Sequence, residues 1–173
     1  MSFGTTLIDA QEIVKKNGYA FDYLKAIFMV DNCLPQWEMT KEQEKAEKKN
    51  IPENMDKIAQ DIANKVKTTD IPTKGGKLMT NITRRFFSPG DDYSKKYKID
   101  DSCNACGTCS QLCPVGNITV TDKVVFGNYC EGCQACIHLC SRNAIHLRFE
   151  RSSARWLNPE VKLKEIIKSN NIK

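Results

Sequence analysis

Residues 103–114 read CNACGTCSQLCP and place Cys103, Cys106, Cys109 and Cys113 within eleven residues. Two residues separate each of the first three, and three separate the third from the fourth. The same spacing returns 27 residues later as Cys130, Cys133, Cys136 and Cys140, and the flanks VGNITV and RNAIHL follow the two runs. Such self-similarity reads as an internal duplication. Disulfides, zinc and iron–sulfur chemistry each use crowded thiols. Disulfides need an oxidising compartment, and MSFGTTLIDAQEIVKKNGY lacks the basic start, apolar centre and cleavage site of an export leader. Zinc sites usually pair two C-x2-C knuckles across a longer loop. Three thiolates at successive x2 spacing suit three corners of an Fe4S4 cube, with a fourth ligand brought from elsewhere. The spacing favours iron–sulfur.

The rest of the composition excludes other classes. Apolar residues at 40% and charged residues at 27% are ordinary for a soluble globular protein. There is no apolar run of the ~18–20 residues that a membrane span requires, and the expected location is cytoplasmic. The formal charge of +5 counts every cysteine as neutral. Two oxidised tetrathiolate clusters of about −2 each would bring it to roughly +1, so the basic balance does not argue for nucleic acid. The run KEQEKAEKKN, residues 41–50, alternates in sign as a solvated helix face does.

Along the chain, TTLIDAQEIVKKN (5–17) predicts a helix with Leu7, Ala10, Ile13 and Val14 on one face and Gly18 as its stop. YLKAIFMV (23–30) predicts a strand buried on both faces of a parallel sheet. A helical region starts at Thr40, with Thr40 and Gln43 as a capping pair, and restarts near Pro52. Met55, Ile58, Ile62 and Val66 then mark an apolar face. IPTKGGK (71–77) reads as a linker, and LMTNITRRFF as one more helix. Asn158 and Pro159 predict the start of a tail helix with Val161, Leu163, Ile166 and Ile167 on its apolar face. No second strand is legible before residue 98, so the buried strand lacks neighbours.

Residues 98–148 resemble bacterial two-cluster ferredoxins, whose signature is C-x2-C-x2-C-x3-C-P. The resemblance implies crossed ligation, each run sending its fourth cysteine to the other cluster. One [4Fe-4S] cluster is then expected on Cys103, Cys106, Cys109 and Cys140, and a second on Cys130, Cys133, Cys136 and Cys113. Val115, Ile118, Val120, Val125, Ile137, Ile145 and Leu147 are expected to keep water out, and Gly107 and Gly132 to let the chain turn tightly. Ser141 stands where the signature repeats proline, unlike Pro114 in the first run. The whole chain is similar to a narrower family in which a flavodoxin-like domain precedes such a ferredoxin. SFGTT (2–6), VDNCLP (30–35), NYCEGCQACIHLC (128–140) and RWLNPEV (155–161) carry that resemblance.

The fold class expected is α+β: a two-cluster ferredoxin-like domain of small antiparallel strands and short helices, preceded by a partial flavodoxin-like α/β fragment. Residues 1–70 are expected to be the C-terminal part of the flavodoxin-like domain, 71–97 a linker, 98–150 the ferredoxin domain and 151–173 a tail with a short helix. The family's flavin-phosphate loop has no counterpart here, and at most Phe3–Thr6 match a loop that approaches a flavin, so FMN is not expected to bind tightly. The expectation is a truncated gene or fragment, which a stop codon directly before Met1 would overturn. Low-potential electron transfer between a redox protein donor and acceptor is the function expected. The alternatives are an electron relay in a flavin-dependent oxidoreductase and a redox-sensing or interaction module. Cys33, His138, His146 and Trp37 are read as structural, and no side chain is placed for nucleophilic or acid–base catalysis.

Overall fold

In the computed structural model, residues 6–69 and 92–170 are described. The expected linker over 71–77, the helix over 78–87 and most of the SFGTT stretch lie outside those residues. The backbone divides into two compact units, one of residues 1–29 and 46–89, the other of 30–45 and 90–173. Residues 30–45 are thus grouped with the cysteine-rich region and not with the rest of 1–70.

In the first unit, α1 (Thr6–Lys16) follows its apolar spacing and ends where Gly18 turns left-handed at φ +81°. There the Gly18 and Asn17 N–H groups return to the Lys15 and Val14 carbonyls, each at 3.1 Å. The strand expected over 23–30 is only two residues long: β1 (Tyr23–Leu24). It pairs in parallel with β2 (Thr68–Thr69), a strand that the sequence reading missed. The crossover between them contains α3 (Ile51–Ala63), started by Pro52 in its first turn as expected. Tyr23 donates its hydroxyl to Asp61 at 2.9 Å and so ties β1 to α3. Phe28 and Met29 are 43% and 53% exposed, and neither α1 nor α3 has a buried residue. The expected burial on both faces is not met: among the described residues β1 has one two-residue neighbour and so is not central in a sheet.

The second unit opens with a strap, residues 30–45. Asp31 accepts the Cys33 N–H at 3.0 Å, and Gln36 and Trp37 N–H groups return to the Cys33 carbonyl. This turn sends Leu34 inward to zero exposure. Glu38, not the expected Thr40, caps α2 (Met39–Ala46): its carboxylate accepts the Thr40 and Lys41 N–H groups at 3.2 and 3.1 Å. The Thr40 hydroxyl is the main reason that the Glu38 carboxyl is lowered to about 2. Gln43 reaches instead to the Arg155 carbonyl at 3.2 Å.

The cysteine-rich part is built from short antiparallel pairs. β3 (Tyr97–Ile99) pairs with β6 (Ile145–Leu147), and β4 (Ile118–Val120) with β5 (Val124–Phe126). Helices α4 (Thr108–Leu112) and α5 (Ala135–His138) lie between them in sequence and pack on each other. Small strands and short helices make this an α+β, ferredoxin-like fold. Leu34, Met39, Ile118, Ile137, Ile145 and Leu147 form its core with Cys109 and Cys136. Val125, expected to shield the centre, faces solvent at 48% because β5 alternates and only Val124 and Phe126 turn inward.

The tail departs from its expected start. Asn158 accepts the Glu160 N–H at 2.9 Å and closes a turn, with the Val161 N–H on its carbonyl at 3.1 Å. Helix α6 (Leu163–Asn170) begins later, where Glu165 accepts the Lys162 N–H at 3.0 Å. Proline after asparagine serves a turn as readily as a helix start. Asn170 donates to the Leu112 carbonyl at 2.7 Å and ties α6 to α4.

Candidate metal centre

The loop geometry of the two cysteine runs is shared. Left-handed backbone occurs at Ala105, Gly107 and Gly116 (φ +51°, +80° and +63°). It occurs again 27 residues on, at Gly132, Gln134 and Asn143 (φ +69°, +61° and +51°). Each run therefore turns at the same three places relative to its thiols. At Gly132 the absence of a side chain also matters for space, since a β-carbon would lie 3.1 Å from the Tyr93 ring.

These turns gather the eight cysteines around two cavities. Cys103, Cys106, Cys109 and Cys140 line one. Cys113, Cys130, Cys133 and Cys136 line the other. Each cavity thus takes three cysteines from one run and one from the other. The sequence-predicted residues are brought together in these two sets, and Cys33 belongs to neither.

The surroundings suit anionic sulfur. The Asn117 N–H donates to Cys113 Sγ at 3.1 Å, and the equivalent Ala144 N–H to Cys140 Sγ at 3.4 Å. Gly132 N–H donates to Cys130 Sγ at 3.4 Å. Cys106 and Cys133 are exposed, whereas Cys109 and Cys136 are buried. Burial pushes the Cys109 and Cys136 thiols up, and for Cys136 the neighbouring thiols, Cys109 among them, push further. The Thr108 hydroxyl, 3.4 Å from Cys106 Sγ, holds that thiol down.

Among the described residues, no three His, Cys, Asp or Glu side chains converge on one ion. At a Zn–S distance of about 2.3 Å, tetrahedral sulfurs stand only about 3.8 Å apart. A cubane spreads four thiolates over four irons, and four cysteines around an apolar-walled cavity suit it.

The residues read as structural take definite places. His138 is buried. Its Nδ1 accepts the Trp156 N–H at 3.1 Å, so Nε2 carries the proton and donates to the Asn32 carbonyl at 2.8 Å. One ring thereby joins the strap to the tail. Trp37 packs against the core. His146 lies between Glu150 and Asp100, at 2.8 and 3.1 Å. Its pKa is raised, chiefly by the Glu150 hydrogen bond. Gln134, which the sequence reading passed over, accepts the Leu34 N–H at 3.1 Å from its left-handed position in the second ligand loop. Tyr97 and Asn117, also passed over, line the second cavity. Comparing the runs at the 27-residue offset would have flagged both, since Val124 and Ala144 stand in their places.

No match was found among curated proteins or among solved structures. A family match does cover part of this site, from Lys96 to Thr119, and includes the first cysteine run. Residues 96–119 are a 4Fe-4S binding domain.

Proposed function

We propose that the chain is a low-potential electron-transfer protein with two [4Fe-4S] clusters. One is held by Cys103, Cys106, Cys109 and Cys140, the other by Cys113, Cys130, Cys133 and Cys136. The 4Fe-4S binding domain indicates iron–sulfur electron transfer. The grouping of eight thiols around two cavities, each completed by the opposite run, carries the rest. The recurrence of left-handed backbone at the same offset supports a duplicated, two-centre region. When bound, each cluster accepts and returns one electron at a potential set by charge, hydrogen bonding and exposure.

The chain's own residues supply the setting. Backbone N–H groups donate to ligand sulfur. Ile118 and Ile145 help wall the cavities. The exposed Cys106 and Cys133 give redox partners an approach to each centre. The buried Cys109 and Cys136, one from each set, belong to the same core cluster, which suits passage between centres.

Anaerobic reconstitution tests this reading. About eight irons and eight sulfides per chain are expected, and well under eight would overturn it. Crossing has its own test in paired substitutions. Cys103→Ser with Cys140→Ser removes two ligands of one cluster and should leave about four irons. Cys103→Ser with Cys113→Ser damages both and should leave fewer; the reverse order would rule out crossing.

A further inference from the structure

The offset of 27 that matches the ligand runs also reveals where their surroundings differ. Tyr97 and Asn117 line the cavity of Cys113, Cys130, Cys133 and Cys136. Their counterparts are Val124, which lines the other cavity, and Ala144, beside Cys140. Two polar side chains serve one centre where the other has methyl groups.

Asn117 is 3% exposed, and its amide orientation is fixed by its neighbours. Its Oδ1 accepts the Tyr129 N–H at 3.2 Å, so a flipped amide would set N–H against N–H. Gly127 makes room for this arrangement, because a β-carbon there would fall 2.4 Å from Asn117 Oδ1. Nδ2 is then left buried with no acceptor among the described residues. An unmet donor at that depth is costly, and an acceptor in the cavity that Asn117 lines would relieve it. Tyr97 Oη lies 3.7 Å from Cys130 Sγ, and its ring meets Phe126 edge-on at 5.3 Å.

We infer that the Asn117 amide and the Tyr97 hydroxyl donate to sulfur of the cluster on Cys113, Cys130, Cys133 and Cys136 and make it the higher-potential one of the pair. The inference rests on the two-cluster reading. One-electron reduction adds a negative charge to the cluster, and donors to its sulfur stabilise that charge. Thr108 faces Cys106 at the other centre. Cys106 is exposed, however, so water competes for the same sulfur and the hydroxyl changes less. An electron shared between the centres therefore rests on the one that opens at Cys133.

A mediated redox titration of the reconstituted full chain, with dithionite as reductant and EPR as readout, tests the inference. Wild-type protein is expected to show two one-electron steps. Asn117→Ala and Tyr97→Phe should each lower the upper step and leave the lower one in place. Each should shift the electron-sharing ratio about tenfold, or ~59 mV. Two wild-type steps with neither substitution moving the upper one, or with the lower one moving instead, overturn the inference and leave the two-cluster reading standing. Wild-type protein with iron for a single cluster overturns both. Should Asn117→Ala lose iron, Tyr97→Phe decides alone, since it keeps the ring against Phe126.

Discussion

Ala105 shows how far a single residue can depart from what its local structure asks. It sits at φ +51° where its counterpart, 27 residues on, is Gly132. A side chain in left-handed backbone costs about 1–2 kcal/mol. Ala105→Gly should therefore stabilise the protein by about 1 kcal/mol, and Gly132→Ala should destabilise it by more, because the Tyr93 ring also stands in the way. Chemical denaturation of the two variants checks both signs. His146 makes a second prediction at this scale. Its partners Glu150 and Asp100 raise its pKa in the folded protein, so the charged ring is stabilising. That stability is complete below the unfolded pKa of about 6.5 and is lost as pH rises through the higher folded value. Melting temperature should fall over that interval, and His146→Gln should flatten the slope. An NMR titration placing His146 at or below about 6.5 would count against this account.

At the scale of elements, the strap matters most. Its eight-letter neighbour YLKAIFMV is the more apolar stretch, yet of the two only the strap contains buried residues: Leu34 and Met39 have zero exposure, while Met29 is half exposed. Leu34→Ala should cost about 2–5 kcal/mol, and Met29→Ala should stay within about 0.5 kcal/mol. Comparing the two unfolding curves separates burial from hydrophobicity. His138 fastens this strap to the tail through the Asn32 carbonyl and the Trp156 N–H. His138→Phe keeps the ring volume and strands both backbone groups, at about 1–3 kcal/mol each. The expected result is a loss of stability, with the Trp156 amide proton exchanging faster than in wild type.

At the scale of the whole molecule, local pattern was informative wherever the cause was local. Cysteine spacing, the Gly18 stop and the Pro52 restart all depend on neighbours in sequence, and each was legible. The two cysteine sets were an expectation drawn from the resemblance and the 27-residue repeat, and the eight thiols line two cavities in those groups. The apolar run at 23–30 was misread because hydrophobic composition says that a segment wants cover without saying which segment provides it. Caps were misplaced for a similar reason: Glu38 capped α2 in place of Thr40, and Asn158 with Pro159 closed a turn ahead of α6, because contacts beyond the local sequence decided where each turn was held. The chain alone thus determined the chemistry, since eight thiols at repeated spacing admit few uses. Only the tertiary structure decided that the strap at 30–45 packs on the cysteine-rich region, and that Asn117 and Tyr97 line one cavity and not the other. Those outcomes come from contacts between residues far apart in sequence, such as Leu34 with Gln134 or Tyr97 with Cys130, and short-range periodicity carries no record of them.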